Sequence, residues 1–105
     1  MNQRKKIVTV GLASLLLAIA FGAQAYTGEA LAKHAKMSIT EARVIALKAH
    51  PGKITDEELE KEAGGSGMRY SFDIVEVGKK GTQEVGVDAQ TGAVLENKPE
   101  GPNPD

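Results

Sequence analysis

The first quarter of the chain withholds itself from the fold, and that limits everything after it. Arg4, Lys5 and Lys6 make a basic stub, and Ile7 to Ala23 follows without a charge. Ala23-Gln24-Ala25 then supplies the small-x-small pattern that a signal peptidase reads. The spacing predicts a signal-peptide helix within residues 1–25, cleavage near Ala25, and export to the periplasm or the medium. Left uncut, the same run would just span a thin bilayer and serve as an anchor. On either reading the rest of the chain works on the far side of a membrane. Only roughly 80 residues then remain, enough for one small domain.

That remainder has few resources for cohesion. Cysteine is absent, which excludes disulfides, thiol redox chemistry and cysteine metal sites. Trp is absent too, and the aromatic residues left are Tyr26, Tyr70 and Phe72. The whole chain has a net charge of -1, and three of its cations sit in the basic stub, so the released chain is more acidic than the precursor. Asp56, Glu57, Glu58, Glu60 and Glu62 crowd one short stretch. This balance argues against nucleic-acid binding, which needs a basic stripe, and against docking on anionic lipid.

Tyr26 to Met37 reads as a polar leader, frayed as termini usually are. The first firm element begins at Ser38, which has capping-box spacing with Glu41. Ile39, Ala42, Ile45, Ala46 and Ala49 then share one helical face. Pro51 and Gly52 end the helix near His50. Ile54 to Ala63 is ambiguous: its caps and acids favour a helix, while its alternation is too poor for a clear strand. Gly64 to Gly67 is a turn. Met68 to Val77 is the clearest strand, with Tyr70, Phe72 and Ile74 on one side and Arg69, Ser71, Asp73 and Val75 on the other. Gly78-Lys79-Lys80-Gly81 is a hairpin loop. Thr82 to Val87 is the next strand, Asp88 to Gly92 a turn, and Ala93 to Glu96 a short last strand. Residues 97–105, with three prolines, read as a disordered tail.

The order of these pieces resembles the PepSY domain. The resemblance is carried by Ala46-Leu47-Lys48-Ala49-His50-Pro51-Gly52-Lys53-Ile54, then Tyr70-Ser71-Phe72-Asp73-Ile74-Val75, then Val87-Asp88-Ala89-Gln90-Thr91-Gly92-Ala93-Val94-Leu95. It covers residues 37–96, so the domain expected is 38–96 between a leader, 26–37, and the tail. It implies an α+β fold, one N-terminal helix packed on a three- to four-stranded antiparallel sheet. It also implies that Ile54 to Glu62 is a strand with Leu59 inward and the acids in water. PepSY domains occur in the propeptides of thermolysin-like secreted metallopeptidases, alone behind signal peptides, and in membrane proteins. A role in inhibiting or regulating a peptidase is what the resemblance implies. The chain departs from the propeptide arrangement in carrying no peptidase domain.

No catalytic constellation is present in the pattern. Ser38, Ser66 and Ser71 lack the glycine elbow of an exposed nucleophile. His34 and His50 match no local metal motif, and His50 is placed to meet the last helix carbonyls. The acidic run lacks the offsets and internal glycine of a calcium loop. Asp88 reads as a backbone cap. No enzyme activity, cofactor or metal is therefore expected. The residues expected to meet a partner are Asp56, Glu58, Glu60 and Glu62, as a strip that either repels other sheets or docks a basic partner, and Gly86, a mid-strand glycine of the kind that marks a bulge or close approach. The expected function is an exported, non-catalytic module that binds a protein or peptide in the cell envelope, with a peptidase as the candidate. A small-ligand or metal sensor using the acids and His50, and a structural protein self-associating along its sheet edge, are the alternatives.

Overall fold

The structure is a computed structural model that describes residues 25–101. The expected signal helix and the last residues of the expected tail lie outside the described residues. A short 3₁₀ helix, Glu29–His34, precedes the helix α1, Ile39–Ala49. Four strands follow: β1, Lys53–Lys61; β2, Met68–Val75; β3, Gln83–Asp88; and β4, Val94–Pro99. They form one antiparallel sheet in the order β1-β2-β3-β4, so every neighbour in space is a neighbour in sequence.

The capping box forms as the spacing requires. The Glu41 amide donates to Ser38 Oγ at 3.1 Å, and the Ser38 amide donates to the Glu41 carboxylate at 2.9 Å, a motif that stabilises a helix by about 1 kcal/mol. Ala42 and Ala46 are fully buried, and their small side chains let α1 lie close on the sheet. Val44, outside that stripe, is exposed. At the far end the His50 amide donates to the Ala46 carbonyl. The imidazole does not go to the helix carbonyls as expected; its Nε2 lies 3.2 Å from Glu76, on the hairpin side.

Beneath α1 sit Leu59 of β1, Tyr70, Phe72 and Ile74 of β2, and Val85 and Val87 of β3. Burying side chains of this kind contributes about 2 kcal/mol each. The Tyr70 hydroxyl donates to the Met37 carbonyl at 2.7 Å. Burial and the nearby Tyr26 push the Tyr70 phenol up to about 12, so it stays a donor at any physiological pH.

The acid-rich segment is a strand, and the register shows why its alternation is hidden. Ile54 and Leu59 are an odd number of residues apart and cannot share a face of a regular strand. The pairing steps from Ile54↔Ile74 to Asp56↔Asp73, leaving Thr55 as the extra residue of a bulge. The bulge resets the phase, so both apolar side chains face α1. The same reset turns Glu57 inward. There it accepts hydrogen bonds from Arg43 Nε and, at 2.9 Å, from Arg43 Nη2. Arg43 is 2 % exposed, so a buried cation on α1 and a carboxylate on β1 join the two layers.

The two ends differ from the expectation. The leader is docked rather than frayed: the Leu59 amide donates to the Thr27 carbonyl at 2.8 Å, Thr27 bridges Glu58 in parallel, and the Tyr26 ring lies 6.3 Å from that of Tyr70. Gly28 has φ 84, and a Cβ there would stand 1.9 Å from the Leu59 carbonyl oxygen. Only glycine permits this approach. At the other end β4 continues through Asn97 and Lys98 to Pro99, where a tail was expected, because these residues pair with Val85, Glu84 and Gln83.

Gly28→Ala should therefore release the leader while the sheet survives. Amide exchange at Leu59 should accelerate by at least about tenfold, with the amides of Phe72 and Val85 keeping their protection. Unchanged exchange at Leu59 would show that the leader is not held by this contact.

Candidate functional site

Alternation on the strands sends every second side chain away from α1, and the register stacks them into rows across the sheet. One row runs Asp56, Asp73, Glu84 and Lys98; the next runs Glu58, Ser71, Gly86 and Glu96; a third holds Glu60, Arg69 and Asp88. Eight carboxylates, those of Asp56, Glu58, Glu60, Glu62, Asp73, Glu84, Glu96 and Glu100, line one open basin of about 540 Å³ together with Lys98. Among the described residues no helix covers this face: α1 packs on the opposite one.

Like charges opposite one another across strands are destabilising, so this face opposes its own pairing. The carboxyls respond. Glu60 is held above the usual carboxylate range by burial, with Glu58 and Glu62 adding repulsion that a bond from Ser71 Oγ at 2.8 Å partly relieves. Asp73 is raised by burial and by Glu100, Asp56 and Glu58. Glu84 is raised by burial and by Glu96, Asp73 and Glu100, against Lys98. At neutral pH these ionised groups work against folding, and that opposition fades as the pH falls through their raised values.

Arg69 offsets part of the charge. It is 7 % exposed; Nη2 donates to the Ala63 carbonyl at 2.9 Å, and Nη1 lies 3.5 Å from Glu96 and 4.0 Å from Glu62. Its stem lies over Gly86, where an added Cβ would sit 3.4 Å from Arg69 Cδ. The neighbours of Gly86 are thus Arg69 and Glu96 of the domain itself, at ordinary van der Waals distance. Gly86 is buried beneath the Arg69 side chain, which is itself buried. The bulge expected there is also present, with Leu95 as the extra residue between Gly86↔Glu96 and Val87↔Val94.

Asp88 closes one end of the face. Its carboxylate accepts from the amides of Ser66 (2.7 Å), Gln90 (2.8 Å) and Thr91 (3.0 Å) and from Ser66 Oγ (2.8 Å). This is the backbone-capping role its sequence context implied. Burial alone would push the carboxyl up; the hydrogen bonds from Ser66, Gln90 and Thr91 outweigh it and hold it well below the usual range. The Gly65 backbone, φ 54, rests against this carboxylate, with the place of a Cβ 2.3 Å from Oδ2.

The structure thus gathers Asp56, Glu58, Glu60 and Glu62 on one face with Asp73, Glu84, Glu96, Lys98 and Glu100. The added acids were not singled out in the sequence. The signal for Asp73 and Glu84 was period-two alternation opposite Phe72 and Val85; for Glu96 to Glu100 it was masked by the prolines. Ser71 meets a carboxylate but no imidazole: His50 pairs with Glu76 at the other end of the domain. Among the described residues, no group of three His, Asp or Glu side chains converges to hold a metal ion.

A family model described as peptidase propeptide and YPEB domain, PepSY, matches residues 36–98. No curated protein and no solved structure matches the chain.

Asp88→Asn should cost about 3 kcal/mol, since an amide would aim N–H at the Ser66 amide and weaken four bonds to a charged acceptor. Urea unfolding at pH 7 measures it. A depressed pKa gives stability that is present at neutral pH and lost as the pH falls below the ordinary carboxylate range, so the gap between the two proteins should narrow only in strong acid. A loss under about 0.5 kcal/mol, within the range of ordinary surface substitutions, would contradict this role.

Proposed function

The chain belongs to the PepSY family, and we propose that it is an exported, non-catalytic module that docks a basic stretch of another polypeptide on the open face of its sheet and so restrains the protein carrying it. The observation that carries this reading is the asymmetry of the sheet. One face is sealed by α1, and the other presents eight carboxylates around one basin. The family description ties such domains to peptidase propeptides, which makes a peptidase in the cell envelope the favoured partner.

The mechanism is charge neutralisation on a rigid surface. Lysine or arginine side chains entering the basin would relieve the repulsion within Asp56, Asp73 and Glu84, a relief the isolated domain makes only in part, through Lys98 beside Glu84. The negative field steers a cationic segment in, and salt weakens that steering. Docking on the face is favoured over strand addition at the β1 edge, because Thr27 already accepts the Leu59 amide there. A covered cleft, rather than a chemical step, would restrain the partner.

Calorimetric titration of residues 26–105 with a lysine-rich peptide tests the reading. Binding is expected at low salt and should weaken about tenfold or more when Glu58, Glu60 and Glu62 are replaced together by Gln. It should also fade on acidification from above the ordinary carboxylate range, because Glu60, Asp73 and Glu84 take up protons early. Slowed turnover by a secreted metallopeptidase in the presence of the domain would identify the partner class. Equal binding of a glutamate-rich peptide, or none of either, would refute the docking face.

A further inference from the structure

We infer that the loop joining β2 to β3 is a site of limited proteolysis: a peptidase that cuts after lysine hydrolyses the Lys80–Gly81 bond, and the nicked domain keeps its fold. Water adds across that bond, leaving a carboxylate on Lys80 and an amine, which takes a proton, on Gly81. The peptidase class is one whose specificity pocket carries an anionic group for the lysine side chain. The site does not depend on the docking of a basic segment on the open face.

Residues 77–81 are all exposed, Val77 to 91 %. The loop and Ile74, Gln83 and Pro99 line one cavity of about 240 Å³, so the tip stands off the sheet rather than packing on it. Gly78 and Gly81 have φ 80 and 89, and a Cβ at either would meet nothing within 4 Å. Two glycines in open space let the tip straighten, and exposed tips of this kind are where chains are nicked. The turn at Glu76 holds Lys79: its amide donates to the Glu76 carbonyl at 3.1 Å, and its Nζ lies 3.4 Å from the Glu76 carboxylate. Lys80 makes no such bond, which singles out the peptide bond after it. The other lysines and arginines among the described residues lie in helices or strands, except Lys36, whose amide donates to Gln90 Oε1 at 2.9 Å. Backbone held in these ways has to open before a peptidase can take it.

Each side of the cut is tied down separately. On the β2 side, Glu76 is held by His50, whose Nε2 lies 3.2 Å away. On the β3 side, the Glu100 amide donates to the Thr82 carbonyl at 2.8 Å, and Gln83 Nε2 donates to Asn97 Oδ1 at 2.7 Å. The two pieces stay joined by the pairing of β2 with β3, by Val85 and Val87 in the core, and by the Ser66 amide on Asp88. The piece beginning at Gly81 carries Glu84, Glu96, Lys98 and Glu100, so one cut turns the acidic face into a surface shared by two chains.

Brief digestion of the full chain with a trace of trypsin, read by mass, tests the site. Among residues 25–101 the first cut is expected after Lys80, at least about tenfold faster than any other. The two pieces should travel as one species in native gel filtration and part only in urea. Lys80→Gln should slow cutting of the loop by at least about tenfold, because the anionic pocket loses its cation, and should leave the melting temperature of the uncut chain unchanged. Lys79→Gln should leave the cut after Lys80 as fast as before. A first cut at any other residue of this range, Lys79 included, would overturn the inference. So would separation of the two pieces in native buffer, or a loop cut equally fast in Lys80→Gln. Binding of a lysine-rich peptide by Lys80→Gln reports on the docking face separately, so the two readings can fail independently.

Discussion

Aromatic side chains make up only 4 % of this chain, and the buried apolar residues cover one face of one sheet. Tyr70, Phe72 and Ile74 alternate with Arg69, Ser71 and Asp73 along β2, and this single strand fixes the sidedness of the domain. Everything apolar on β1 and β3 registers with the first set, through Leu59↔Tyr70 and Phe72↔Val85. α1 meets them with Ala42 and Ala46 rather than large residues, so the layers approach closely and little volume has to be filled. The opposite face receives what is left, which is mostly carboxylates. The acidic basin and the core are therefore two consequences of one alternating pattern.

Polar contacts then fix what a small core leaves loose. Arg43 and Glu57 join helix to sheet in a buried pair, an arrangement more often tied to a particular geometry than to net stability. Asp88 gathers two turns onto one carboxylate. Arg69 lies across the bare backbone of Gly86 and holds the acidic strands near one another. Each of these groups is a charged side chain almost out of water, and each has charged or multiple hydrogen-bonding partners, as burial of charge requires.

The helix, its capping box, β2 and the Asp88 turn were legible in the sequence because each is local: spacing, a period of two, and a turn residue suffice. β1 was not legible from its own residues. Its bulge at Thr55 breaks the period, and its acids are locally better suited to a helix N-terminus; only pairing with β2 makes it a strand. The resemblance to a known domain supplied what the local pattern lacked. Arg43 was hidden for a similar reason, since its partner Glu57 lies in a strand whose phase could not be read. The leader and β4 were misjudged as loose because their stabilising contacts, Thr27 with Leu59 and Lys98 with Glu84, are made to distant residues. Of the acids of β1, Asp56, Glu58, Glu60 and Glu62 share the open face, while Glu57, expected in water, turns inward onto Arg43, and the acids of the other strands join the first four only through the register.

The central claim is that one face of the sheet is for folding and the other for a partner. Amide chemical shifts of the isotope-labelled domain, residues 26–105, followed during titration with a lysine-rich peptide, test it most directly. The account predicts that the shifted amides map to Glu58, Glu60, Ser71, Asp73, Glu84 and Glu96, with Ala42, Ala46 and the rest of α1 unmoved. Shifts centred on α1, or saturable binding that leaves the open face silent, would contradict it.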